Sequence, residues 1–315
     1  MVNVKLISNL TNNLTIIQAE LWFIPFDIIM IICTSLTILL GILFLIICIT
    51  NRTCWSIQML LTCNICAAEV FLACVLLNMA LFTFQKDLQL NMFSLTFCFA
   101  MGFCGYVADC AQNYSYLLIA IYRYISVVYP TRILWLSAKF QLVLILIQWI
   151  FCSLYVLPVF LTGHCTYNID NQICQIPLSL SVPMVYVGTT IYFIPNFVVL
   201  FLYMKLTRYV HKISIRAIPA NTLFHARREL RLIQRTLILS NTLIILGVPY
   251  ALFMFISFFT TPPKYHFRIA YICVDLSLVI ILVMLYYFTT PVKTIIVQKF
   301  TNRNAVEPIR QTART

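Results

Sequence analysis

Charge is what this chain has least of. Charged residues make up 10% of its 315 positions, against 62% hydrophobic; a soluble domain carries roughly a quarter charged. A water-facing surface cannot be built from that supply, so a soluble globular fold is excluded. Basic residues are missing from long stretches: none stands between Lys5 and Arg52, Lys86 and Arg123, Lys139 and Lys205, or Arg235 and Lys264. No internal repeat is visible, so the inverted-repeat signature of many transporters is lacking. No cleavable signal peptide is evident either, because the first apolar run starts late and is full length, as a first span would be. Metal-type spacing is also absent. Cys63-Asn-Ile-Cys66 lies inside an apolar run, and His164, His211, His225 and His266 all fall in or beside loops. A membrane enzyme would gather such groups at one depth, so no catalysis, cofactor or metal is expected.

What is present is a series of apolar runs. A spanning helix needs about 20 such residues, and lipid forces the run into a helix because each backbone donor and acceptor must be satisfied internally. The expected fold is an all-α seven-transmembrane helix bundle in one domain. Its spans fall at roughly 24–49, 57–84, 94–127, 139–161, 181–208, 229–259 and 266–290. Residues 1–22 form a segment before the bundle, 23–300 the bundle with a short juxtamembrane helix at 292–300, and 301–315 a tail.

The loops set the orientation. One alternate set holds Arg52, Arg132, Lys139, the cluster from Lys205 to Arg235, and Lys299, Arg303, Arg310 and Arg314; the other holds only Lys5, Lys86, Lys264 and Arg268. The positive-inside rule puts the first set in the cytoplasm, so the N-terminus is expected outside and the C-terminus inside. Two glycosylation acceptors, Asn9-Leu-Thr11 and Asn13-Leu-Thr15, fall in that N-terminal segment. The net charge of +12 needs no nucleic acid as partner. Basic side chains beside membrane ends are favoured by anionic lipid, by about 1 kcal/mol each.

Most of the 13 cysteines lie within spans, where the plain reading is a small packed hydrophobe. Cys98, Cys165 and Cys174 stand on the oxidising side. A bond from Cys98 to either of the other two would staple a loop over the bundle mouth and close a long segment. Spacing alone leaves the choice open.

The residues also carry a resemblance. The run Leu117–Pro130, LLIAIYRYISVVYP, ends an apolar helix in Tyr122-Arg123-Tyr124 and continues into Tyr129-Pro130. Gly41 in the first span, Asn64-Ile-Cys-Ala-Ala-Glu69 in the second, Trp149 and Pro158 in the fourth and Pro195 and Tyr203 in the fifth keep the same order and spacing, as do Leu246-Gly-Val-Pro249 in the sixth and Thr290-Pro291 in the seventh. From about Pro25 to Phe300 the chain resembles the rhodopsin-like (class A) G-protein-coupled receptors, as a divergent member. Ile42 stands where the family has Asn, Glu69 where it has Asp, Tyr122 where it has an acid and Gly247 where it has Trp. Thr290 and Thr294 stand where it has Asn and Tyr.

The resemblance implies a receptor in the plasma membrane. It would bind an extracellular ligand, a peptide or a small chemosensory molecule, and activate a heterotrimeric G-protein. A multi-span transporter or channel is the alternative. The resemblance also implies that Cys98 pairs with Cys174, that Arg123, Tyr124, Pro130 and Tyr203 serve coupling, and that Glu69, Pro249 and Pro291 serve as switches. Glu229 would be the ionic partner of Arg123. The plainer reading of Arg123 is a snorkelling side chain, and that of Glu229 an acid favoured at a helix start. Glu69, an acid inside a span, is costly and points inward. It is expected either to hold a sodium ion or to be protonated and bonded among Gln112, Tyr286, Tyr287 and Thr290. The family's amine-binding Asp would stand at Gly105 and is missing. Asp109 lies 14 residues before Arg123, almost four turns away, and would meet a cationic ligand group or be satisfied by neighbours such as Asn113. Asp275 would serve a basic ligand or pair with Arg268. Tyr186, Tyr192, Tyr250 and Tyr271 are expected to line the same cavity.

Overall fold

The computed structural model describes residues 24–88, 95–168, 173–177, 181–215, 220–257, 259–260 and 266–306, together with most of their side chains. Asn9 and Asn13 lie outside the described residues. Helix α1 spans Ile24–Thr50, α2 Ile57–Asp87, α3 Leu95–Val128 and α4 Ala138–Leu161. Helix α5 comprises Val182–Gly188, a π-helical stretch Thr189–Phe193 and Ile194–Ile215; α6 spans Ala220–Ile256, α7 His266–Phe288 and α8 Thr290–Val306. A two-stranded hairpin, β1 Thr166–Asn168 against β2 Ile173–Gln175, follows α4 and pairs Tyr167 with Cys174.

Local chemistry sets several of these ends. Ser56, Ser137 and Ser181 cap α2, α4 and α5, each hydroxyl accepting a bond from the backbone N–H three residues on. Helix α3 stops at Val128 because Pro130 pushes the residue before it out of the helical region. In α5, Pro195 has no N–H to give. Just before it the N–H of Ile194 reaches back to the carbonyl of Thr189, the widened spacing of a π-turn.

The helices are turned inside out relative to a soluble protein. In α1, Ile28, Ile32, Leu39, Leu43 and Ile46 are exposed, while Asp27, Thr34, Thr37 and Gly41 are buried among the apolar residues of the opposite face. Only a hydrocarbon surrounding favours that arrangement. Among the described residues six helices, all but α3 and α8, are long and apolar enough to cross a membrane. Helix α3 carries Asp109, Gln112, Asn113, Ser115 and Arg123, a polar load it can bear because it is enclosed. It packs against α2, α4, α5, α6 and β2, so its polar groups meet protein rather than lipid.

Two glycines permit close approaches. A Cβ on Gly102 would stand 2.6 Å from the carbonyl oxygen of Cys174, and one on Gly41 2.2 Å from Val70 Cγ2. Gly102 therefore lets the hairpin backbone lie directly on α3, and Gly41 lets α1 close on α2.

Two sequence expectations need correction. Helix α6 begins at Ala220, ahead of its apolar span, which opens at Leu230, beside the expected 229. The basic segment is rich in good helix formers and extends the helix beyond the apolar run. Glu229 is therefore interior to the helix, which removes the reading of it as an acid at a helix start. Pro291 does not lie within the seventh helix. Helix α7 ends at Phe288, and Pro291 stands in the first turn of α8, where its missing N–H has no intrahelical partner to lose. It starts a helix instead of kinking one.

Candidate functional site

The polar residues gather at three depths of the bundle. The first is the end marked by Cys98. Cys98 is bonded to Cys174, with Cα atoms 5.5 Å apart, while Cys165 stays a free thiol, buried beside them. Burial pushes that thiol up to about 12, so it remains protonated at neutral pH. The bond draws β2 onto α3. The N–H of Ile176 donates to Tyr106 Oη at 3.3 Å, and the Gln175 amide donates to Tyr271 Oη on α7. The hairpin thus forms a cover fastened to α3 and α7.

Beneath it lies Asp109. Its Oδ2 accepts from Tyr192 Oη at 3.1 Å, and the Asn113 amide donates to its backbone carbonyl at 3.0 Å. Tyr250 and Tyr271 stand within electrostatic reach of that carboxylate, and both pack on the aromatic cluster that holds Phe267. Asp109, Tyr192, Tyr250 and Tyr271 therefore converge. Tyr186 does not join them. It is 42% exposed, packs on Tyr155 and donates to the Tyr155 carbonyl at 3.3 Å, on the face between α4 and α5. Asp275 also lies apart, near α1 and α2, and does not pair with Arg268. Arg268 instead meets Asp27 of α1 at 3.5 Å, both side chains being 4% exposed or less. The sequence reading passed over Asp27, although the rule that singled out Glu69, an acid within a span, applies to it equally.

The second depth is mid-bundle. Glu69 is fully buried, and its Oε1 accepts from Gln112 Nε2 at 2.7 Å and from Tyr116 Oη at 2.6 Å. Of the expected neighbours only Gln112 reaches it. Tyr286 donates to the Leu40 carbonyl of α1 at 2.8 Å, while Tyr287 and Thr290 are exposed. Helix α7 ends sooner than expected, which turns those residues away. Tyr116 was legible: it follows Gln112 by one turn on the same face of α3. Both contacts fall on Oε1, while Glu69 Oε2 and Gln112 Oε1 have no hydrogen-bond partner among the described residues. Beside it, Asn64 donates to Ser115 Oγ at 2.8 Å and to Gln148 Oε1 at 3.1 Å and accepts from Trp149 Nε1 at 3.0 Å, which ties α2, α3 and α4. A third group, Asn113, Asn196 and Ser240, joins α3, α5 and α6.

The third depth is the end marked by Arg123. Arg123 is 8% exposed in the penultimate turn of α3. At the same end Val127, Leu206 and Val210 form a small core, with Tyr124, Tyr203 and Leu230 packed on it. Tyr203 Oη accepts from Gln234 of α6 at 3.3 Å. Pro130 is exposed in the loop that follows, beside the exposed Ile133, Leu134 and Trp135. The side chain of Glu229 lies outside the described residues. Another α6 residue holds this end: Arg235 Nη1 donates to the Phe288 carbonyl, the last of α7, at 2.9 Å, and its guanidinium lies 5.5 Å from the Phe288 ring centre. A cation on the carbonyl end of a helix is favoured by the helix dipole. Pro249, inside α6, interrupts the backbone ladder between Arg235 and the tyrosine cluster.

The arrangement suits a bistable bundle. One end carries a covered cluster of an acid and tyrosines, the other a buried arginine beneath separable helix ends, and buried polar bonds connect the two. The family model described as 7 transmembrane receptor (rhodopsin family) matches residues 41–300. Among solved structures, the crystal structure of squid rhodopsin superposes with a TM-score of 0.72 at 17% identity, covering 90% of this chain and 86% of that one. No curated protein sequence matches the chain.

Proposed function

Starting from the chain's membership of the rhodopsin family of seven-transmembrane receptors, which makes it a multi-pass G-protein-coupled receptor, we propose how this molecule divides that work. The Cys98 end faces the outside of the plasma membrane with the glycosylated N-terminus, and the Arg123 end faces the cytoplasm, as the basic loops require. The ligand enters beneath the hairpin and meets Asp109 and the tyrosines around it. At the opposite end a heterotrimeric G-protein takes the space that α6 vacates, and Arg123, freed from its packing, meets the partner. Tyr203 and Tyr124 line that opening. The chain makes and breaks no bonds: ligand binding shifts an equilibrium between two packings, in proportion to its preference for the open one.

The observation that carries this reading is the position of Arg123. An arginine 8% exposed at a helix end is not snorkelling to water; it lies one turn before Val127, which packs with Leu206 and Val210 of α5, and an outward swing of α6 would expose its five donors. The family disfavours the transporter alternative. The test is expression with a panel of G-protein activation sensors. The parent chain is expected to give ligand-free activation of at least one G-protein, and Arg123→Ala to abolish it at equal surface expression. A response that survives Arg123→Ala would remove Arg123 from the coupling role.

A further inference from the structure

One face of α5 changes character along its length. Phe197 and Phe201 are 69% and 44% exposed, and Lys205, Arg208 and Lys212, all exposed, follow them. Steps of three and four residues put these five on one side of the helix. Val199, Leu206 and Val210 are buried on the opposite side, where the last two pack with Val127 of α3. The stripe is therefore turned away from the bundle. Its phenylalanines face hydrocarbon, so its basic half emerges where hydrocarbon gives way to lipid headgroups. Lys205 marks that level, with Nζ 5.3 Å from the Phe201 ring centre. From Lys205 to Lys212 the helix rises about 10 Å, little more than the depth of one headgroup layer. None of the three cations forms an ion pair among the described residues. Of the nine acids in the sequence, only Glu229 and Glu307 fall in the basic set of loops.

We propose that this face of α5 binds an anionic lipid of the leaflet at the Arg123 end, one whose headgroup carries several phosphates, as a phosphorylated inositol lipid does. The acyl chains lie along Phe197 and Phe201, and the phosphates meet Lys205, Arg208 and Lys212. Three cations on one short stretch of helix favour a highly charged headgroup over a singly charged one. One such molecule meets all three at once, so a single lipid is ordered instead of three. The site goes beyond the receptor reading and does not need it, because lipid binding requires neither ligand nor G-protein.

The experiment uses the full chain in detergent micelles and counts bound lipids by native mass spectrometry. Phosphatidylinositol bisphosphate is expected to fill one saturable site, and to be held more tightly than phosphatidylinositol or phosphatidylserine. Its affinity should fall about fivefold for each cation removed by Lys205→Gln, Arg208→Gln or Lys212→Gln, and the triple variant should lose the site. Arg208→Gln alone decides the matter if the triple variant does not express. The same charge removed from α8, by Lys293→Gln, Lys299→Gln and Arg303→Gln together, should leave the site in place. Soluble inositol trisphosphate should bind far more weakly than the lipid, since it leaves Phe197 and Phe201 uncovered. Phosphatidylserine held as tightly as the bisphosphate, an equal loss in the α8 variant, or soluble headgroup binding as well as lipid would overturn the proposal. So would a triple variant that keeps the lipid and loses G-protein activation in the sensor panel, which would make the stripe a protein contact.

Discussion

The two ends of α3 are held by different kinds of bond. At the Cys98 end the attachment is covalent, through Cys174, and the hairpin is bonded on to α7. A buried ion pair, Asp27–Arg268, fastens α7 to α1 nearby. At the Arg123 end the contacts between helices include single hydrogen bonds, Gln234 to Tyr203 and Arg235 to Phe288, over a small apolar core. A disulfide and a buried ion pair each resist rupture by several kcal/mol, whereas a partly exposed hydrogen bond contributes about 1 kcal/mol. The bundle is therefore expected to yield at the Arg123 end first. A ligand that biases the covered end can move the other without dismantling the fold.

This asymmetry can be broken from either side. The largest effect is expected at the ion pair. Asp27→Ala or Arg268→Ala breaks a buried ion pair from one side and should cost about 3–5 kcal/mol, read as a fall in unfolding midpoint and in surface expression. The double variant should lose much less than the sum of the two; additive losses would mean the pair does not hold α1 to α7. Next comes the staple. Cys98→Ser and Cys174→Ser should each cost about 2–5 kcal/mol, while Cys165→Ser leaves expression near that of the parent. Non-reducing peptide mapping that joined Cys98 to Cys165 would show the tie to be misplaced.

Smaller effects are expected at the Arg123 end, and there they should appear as signalling instead of unfolding. Arg235→Ala removes the bond from α6 to the end of α7 and should favour the open packing by about 1 kcal/mol, roughly fivefold in ligand-free activity. Glu229→Ala tests the expected ionic partner of Arg123 in the same way and at about the same size. If Arg235→Ala destabilised the fold as much as Cys98→Ser does, the contrast between the ends would collapse. The smallest effect concerns Cys165. Its buried thiol, pushed up to about 12, carries almost no thiolate at pH 8, so maleimide should label it only on unfolding. Because the folded value is raised, labelling of the native chain should increase only as pH climbs toward that value. Rapid labelling at pH 8 would show the hairpin to be open.

Much of this architecture was legible because lipid constrains a sequence so strongly. The span starts at Ile57 and His266 fall where the apolar runs begin, since a hydrocarbon slab admits only long apolar helices. The apolar span of α6 opens at Leu230, beside the expected 229, but the helix runs back to Ala220, because a helix that projects into water does not end where its apolar run ends. Pro291 was misplaced because a proline in a kink and one at a helix start read alike in one dimension.

The site was legible in kind and not in pairing. Glu69, Asp109, Asp275 and Arg123 were identified because charged groups within spans are rare. Their partners came from other helices: Tyr116 and Gln112 for Glu69 and Tyr192 for Asp109, with no described hydrogen-bond partner for Asp275 Oδ1. Arg268, expected beside Asp275, turned to Asp27, more than 200 positions away along the chain.

The sequence by itself determined that the chain is a membrane bundle, where its helices lie and which residues are too polar to face lipid, because each of these follows from local composition and the thickness of a bilayer. Only the tertiary structure decided which polar groups satisfy one another and which buried carboxylate oxygens have no described hydrogen-bond partner. Those outcomes depend on helix rotation and on close approaches at Gly41 and Gly102, and a few ångströms there separate a hydrogen bond from a gap.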